Sequence, residues 1–216
     1  TFLGKHEGPR VLLLGGRAWQ VNHIDWQRRI AYVEATEAKG RTRWKGEGQG
    51  LAFRLAQAIK RVLATDHVRE YWSQRAIDRI RETRHEFSWL PAESTVALLG
   101  SDGQTEWWTF GGSRANAALA RELSLETRAG VRHNSFTLTF DKALKLQDVE
   151  QAISLIRQHD VSAMRPAVDE AAIDGLKFSE CLPVDLATEM LERRLQDLQA
   201  TRRVLAEHMR IIVQEV

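Results

Sequence analysis

Trp107-Trp108-Thr109-Phe110-Gly111-Gly112-Ser113-Arg114-Ala115-Asn116 passes from a strand pattern through two glycines into the start of a helix. Ser113 is placed to cap a helix running through Ala117, Leu119, Ala120 and Leu123. Upstream, Thr95-Val96-Ala97-Leu98-Leu99 and the turn-rich Gly100-Ser101-Asp102-Gly103 make this strand the second arm of a hairpin. Downstream, Ser135 to Phe140 alternates as a further strand, with Phe136, Leu138 and Phe140 on one face. A sheet interleaved with helices in this way predicts the α+β class.

The pattern extends in both directions. Val11 to Leu14, Gly15-Gly16 and Arg17 to Ile24 read as two strands joined by a primed turn, and Ile30 to Ala35 supplies a third. That opening is a small antiparallel sheet or part of a barrel. Leu51, Leu55, Ile59, Val62 and Leu63 then fit one helical face, and Val68, Trp72, Ile77 and Ile80 a second helix. Toward the end, Val149, Ile153 and Ile156 mark a helix. Leu191, Leu195, Leu198, Leu205, Met209 and Ile212 predict one long terminal helix, more suited to packing than to a dimer seam because its period is irregular. The expected division is 1–90, strands plus two helices with a basic face, and 91–216, hairpin, helix, strand and C-terminal helices; one continuous module is the alternative.

Composition bounds the rest. With 43% apolar residues in 216, the chain can bury a real core. Thirty-one basic residues against 29 acidic leave a formal charge of +2, so only the distribution can point to an anionic partner. Residues 41–90 carry 11 Lys and Arg against 6 Asp and Glu, whereas 91–160 carry 7 against 9, which localises the basic character. One cysteine, Cys181, and no apolar run of membrane-spanning length predict a soluble cytoplasmic protein. The absence of an initial Met suggests a piece of a longer polypeptide.

No Gly-x-x-x-x-Gly-Lys-Ser/Thr loop, no zinc-helix histidine pair and no Gly-x-Ser-x-Gly elbow occurs, so no catalytic residue is assigned and no metal site is expected. Carboxylate pairs such as Asp66 and Glu70 read as solvated helix surface.

The candidates are therefore binding residues. Trp107 and Trp108 must point to opposite faces of a strand; either both are buried, or the outward ring, taken as Trp108, stacks on bases. Gly111 to Arg114 either forms a plain turn or offers free amides, a helix-dipole end and the Arg114 guanidinium to a phosphate, with Asn116 in the first helical turn beside it. Arg41, Arg43, Trp44 and Lys45, followed by Gly46-Glu47-Gly48, form the densest basic-aromatic cluster, either a backbone-tracking loop or a solvated one. Arg79 and Arg84 lie on the basic face of the second helix.

Leu14-Gly15-Gly16-Arg17-Ala18-Trp19-Gln20-Val21 with Ile24-Asp25, the Trp44-Lys45-Gly46-Glu47-Gly48 turn, Trp107 to Gly112 with Asn116, and Lys177-Phe178 to Cys181-Leu182-Pro183 occur in an order that resembles the C-terminal region of Lhr-type DEAD/DEAH-box superfamily-two helicases. The resemblance implies a nucleic-acid-binding accessory module that holds or guides single-stranded DNA behind an ATP-dependent motor, with RNA or a hybrid as alternative ligands. ATP and Mg would belong to that motor, and the motor and winged-helix domains would be its partners. The competing expectation is a protein-interaction module that docks the motor to repair or defence components.

Overall fold

The computed structural model describes residues 10–14, 17–38, 50–100, 104–142, 144–177 and 179–213. The class is α+β, as expected. The chain divides between Gln49 and Gly50, so the two helices expected in the first half belong to the second unit.

The first unit is an antiparallel meander of β1 (Arg10–Leu14), β2 (Arg17–Asp25) and β3 (Ile30–Thr36). Its register pairs Leu12 with Trp19 and Trp19 with Ala35, and a bulge between Val21 and His23 shifts the β2–β3 pairing. Period two gathers Trp19, Val21, Val33 and Ala35 on one side. No described residue of this unit is fully buried. The Gly15-Gly16 turn lies outside the described residues.

The second unit is built on a five-stranded sheet in the order β6-β7-β5-β4-β8, comprising β4 (Ser94–Leu99), β5 (Thr105–Trp108), β6 (Val131–His133), β7 (Thr137–Phe140) and β8 (His208–Val213). All neighbours are antiparallel except β8, which runs parallel to β4. Trp107, Leu138 and Phe140 point to one side of this sheet, where Leu119 and Leu123 of α3 (Gly112–Thr127) and Val149, Ile153 and Ile156 of α4 (Leu146–Ile156) close over them as the main core. A second cluster joins Ala56 and Ile59 of α1 (Phe53–Ala64) to Leu90, Trp89, Trp108, Phe110 and Phe136. Phe136 thus parts from Leu138 and Phe140, with which alternation had grouped it. The Asn134 side chain accepts hydrogen bonds from the amides of Phe136 and Thr137, and this local turn delays the strand to Thr137.

α2 (Gln74–Glu86) starts six residues later than the apolar pattern from Val68 suggests, because Ser73 caps it by accepting from the Ala76 amide. The short α5 (Glu170–Asp174) and α6 (Val184–Leu195) share a satellite core of Ile173, Ala187 and Leu191. The expected long terminal helix is broken. Gln196 is extended, Asp197 caps a new helix, α7 (Leu198–Ala206), and Met209 and Ile212 sit in β8. Two causes combine: Asp197 competes as an N-cap, and the Ile211-Ile212-Val213 stretch gains a strand partner in β4.

Candidate nucleic-acid interface

The glycine turn after the double tryptophan is a structural knot, and it corrects the phosphate-cradle reading. The amides of Thr109 and Phe110 both donate to Phe136 O, that of Gly111 to Thr109 Oγ1, that of Gly112 to Ser135 O and that of Ser113 to Leu51 O. These five donors are already satisfied, so the glycine turn itself offers no free amide to a phosphate. Ser113 does not cap α3; Gly111 holds the N-cap position without a side-chain bond. Asn116 is fully buried, accepting from the Thr109 hydroxyl at 2.7 Å and donating to Asn134 O at 2.8 Å, which rules out the ligand contact expected of it. It ties β5 and α3 to the turn before β7.

Gly112 is required by its backbone. Its φ is +75°, and a Cβ there would stand 2.6 Å from the Phe53 nitrogen and 2.9 Å from Leu51 O. Gly112→Ala therefore combines left-handed strain with a clash against main chain that cannot step aside, and is expected to cost at least about 2 kcal/mol. Urea unfolding checks this; a loss under about 0.5 kcal/mol would show that the Leu51–Phe53 segment yields.

Trp107 and Trp108 do face opposite ways. Trp107 is fully buried in the main core. Trp108 is half-buried, with ring centroids 5.3 Å from Trp89, 5.5 Å from Phe87 and 5.9 Å from Phe110, and its indole N–H donates to Glu106 at 2.9 Å. It is packed into an aromatic cluster and hydrogen-bonded, not a free stacking platform.

The other expected residues are scattered. Arg84 is half-buried and structural: Nε donates to Val62 O and Nη2 to His67 O, tying α2 to the end of α1. Arg79 is exposed but paired with Glu82 at 2.7 Å, a hydrogen bond that raises the guanidinium pKa. Arg114 is exposed, in the first turn of α3. Arg41, Arg43, Trp44 and Lys45 fall outside the described residues.

A different set converges. Arg54, Gln57 and Arg61 lie on one face of α1 by their spacing of three and four, and Arg203 approaches them from α7. Together with Phe53, Glu93, Glu207 and His208 they line a cleft of about 610 Å³. The guanidinium of Arg203 lies 5.7 Å from the Phe53 ring centroid. Neither Arg54, Arg61 nor Arg203 has a carboxylate partner among the described residues. Glu207 is neutralised by Lys60, whose fully buried ammonium donates to it at 2.8 Å. Among the described residues lining the cleft only Glu93 then offsets the three guanidinium groups, so the cleft is cationic with an aromatic ring at its side. That combination suits phosphates and bases together. The i, i+3, i+7 spacing on α1 was readable in the sequence; Arg203, some 150 residues further on, was brought there only by the fold. No described cluster of His, Cys, Asp and Glu could hold a metal ion, and no described helix is long and apolar enough to cross a membrane. Comparison with protein-family models, with curated proteins and with solved structures found no match.

Proposed function

We propose that the chain is a nucleic-acid-binding module, and that the cleft between α1 and α7 is where a single strand, DNA in the first instance, is held. The observation that carries this reading is the convergence of Arg54, Arg61 and Arg203, all without carboxylate partners among the described residues, beside Phe53. Three guanidinium groups supply the sequence-independent affinity of backbone recognition, and an aromatic ring can stack on any base. In keeping with the helicase resemblance of the sequence, the module would guide the strand behind an ATP-dependent motor that supplies ATP and Mg chemistry from other domains.

Fluorescence anisotropy with a labelled oligothymidine tests this. Binding is expected at low salt, weakening with a log–log salt slope of about −2 if three phosphates are engaged, at roughly −0.7 each on a single strand. Arg54→Ala with Arg61→Ala should shallow that slope by about 1.4 while leaving the melting temperature in place, since both side chains are exposed. No binding at low salt, or variants that bind like the parent, would discard the cleft. A second reading, docking to other components of a helicase assembly, is favoured by exposed apolar residues on and beside α6, namely Leu182, Val184, Leu186 and Met190.

A further inference from the structure

The five-stranded sheet ends in two unlike edges. β6 is three residues long and carries Arg132 and His133, a short, polar edge of the kind that discourages a further strand. β8 is twice that length, reads His208-Met209-Arg210-Ile211-Ile212-Val213, and is bonded to β4 on one side only. Among the described residues nothing pairs with its other side. Its outward amides and carbonyls are an open template flanked by apolar side chains, with Val213 55% exposed.

We propose that β8 joins two copies of this chain, antiparallel to itself across a two-fold axis, so that the two sheets become one continuous sheet. The sequence of the strand favours a second copy over an unrelated peptide because it is self-complementary in one register. Met209, Ile211 and Val213 share the side of Thr95, Ala97 and Leu99, while Arg210 and Ile212 share the side of Val96 and Leu98. A two-fold axis perpendicular to the sheet must centre on a residue paired with itself, which leaves Arg210 or Ile211 as the middle of the contact. Centring on Arg210 sets two guanidinium groups face to face, which is unfavourable. Centring on Ile211 sets Met209 against the second copy's Val213 and Ile211 against Ile211, an uninterrupted apolar row. On the reverse side each Arg210 then meets an Ile212. The register with Ile211 on the axis avoids like charge and buries every apolar side chain of the strand's inner row.

Sedimentation velocity over a range of concentrations and cysteine cross-linking test this on the full chain. Cys181 is the sole cysteine and is exposed, so Cys181→Ser gives a silent background. In that background Ile211→Cys should oxidise to a covalent dimer, because directly opposed residues in an antiparallel pair lie about 4.5–5.5 Å apart at Cα, within disulfide reach. Arg210→Cys, which faces an isoleucine of the second copy, should not. Val213→Lys, at an exposed position, should shift the dimer to monomer while the far-ultraviolet circular dichroism of the folded chain stays unchanged. A monomer at every concentration overturns the proposal, as does a dimer indifferent to Val213→Lys. Cross-linking through Arg210→Cys as readily as through Ile211→Cys overturns it equally.

Discussion

Trp107→Ala should lower the unfolding free energy by about 3–5 kcal/mol, the range for truncating a large aromatic residue in a closed core. The ring is fully buried among Leu119, Leu123, Leu138 and Phe140, so the space it leaves has no route to solvent. Trp108→Ala should also destabilise, by roughly 2–3 kcal/mol, since it removes three aromatic contacts and the bond to Glu106 but leaves a half-open site that can rehydrate. The ordering is the informative part. A stacking role for Trp108 predicts a near-silent effect on stability and a large effect on strand binding; its packing predicts the reverse. Trp107→Phe adds a finer check, because the Trp107 indole N–H is buried without a hydrogen-bond partner among the described residues. Losing an unsatisfied donor offsets part of the lost volume, so Phe should cost far less than Ala. Urea unfolding of the three variants decides the matter. A Trp108→Ala protein as stable as the parent would return that ring to the candidate interface.

The sequence reading succeeded where a signal is local and repeats. Short apolar runs bounded by turn residues at Val11–Leu14 and Thr95–Leu99, and the 3.6-residue spacing of Val149, Ile153 and Ile156, placed β1, β4 and α4 close to where they stand. It failed where two parts of the chain compete or converge. The leucines from Leu191 to Ile212 satisfy a helical stripe, but periodicity cannot register that Asp197 will cap a new helix or that β4 offers a parallel partner a hundred residues away. The Gly111-Gly112 turn was legible as a turn, while its purpose was not. Its amides look free in sequence, yet that of Gly111 goes to the Thr109 hydroxyl and that of Gly112 to Ser135 O, which only the tertiary fold brings there. The same limit applies to charge. Arg84 looked like part of a basic face and proved to be a clamp on two backbone carbonyls, whereas Arg54 and Arg61, half of the proposed cleft's positive charge with Lys60 counted, drew no attention without Arg203 beside them.

The Lys60–Glu207 pair makes a prediction in which stability and binding move in opposite directions. Lys60 is fully buried on α1, and among the described residues its ammonium has a single hydrogen-bond partner, the Glu207 carboxylate at the end of α7. Glu207→Gln keeps the shape but leaves a buried cation without its counter-charge. Breaking a buried pair in this way costs about 3–5 kcal/mol, and the lower end applies because the Glu207 side chain is 21% exposed and water can approach. At roughly 2–4 °C per kcal/mol for a chain of this size, the melting temperature should fall by about 6–12 °C. Lys60→Met should cost less, since the freed carboxylate can turn toward the cleft and hydrate, and Lys60→Met with Glu207→Leu should be more stable than Glu207→Gln alone. The cleft responds oppositely. Glu207 is one of two acids lining it among the described residues, so neutralising Glu207 raises its net charge by one and should strengthen single-strand binding at low salt by a few-fold, with a steeper salt dependence. Measured below the lowered melting temperature, a Glu207→Gln protein that is less stable and binds more tightly fits a structural ion pair set in the wall of a phosphate-binding cleft. One that is less stable and binds unchanged would place the strand elsewhere on the molecule.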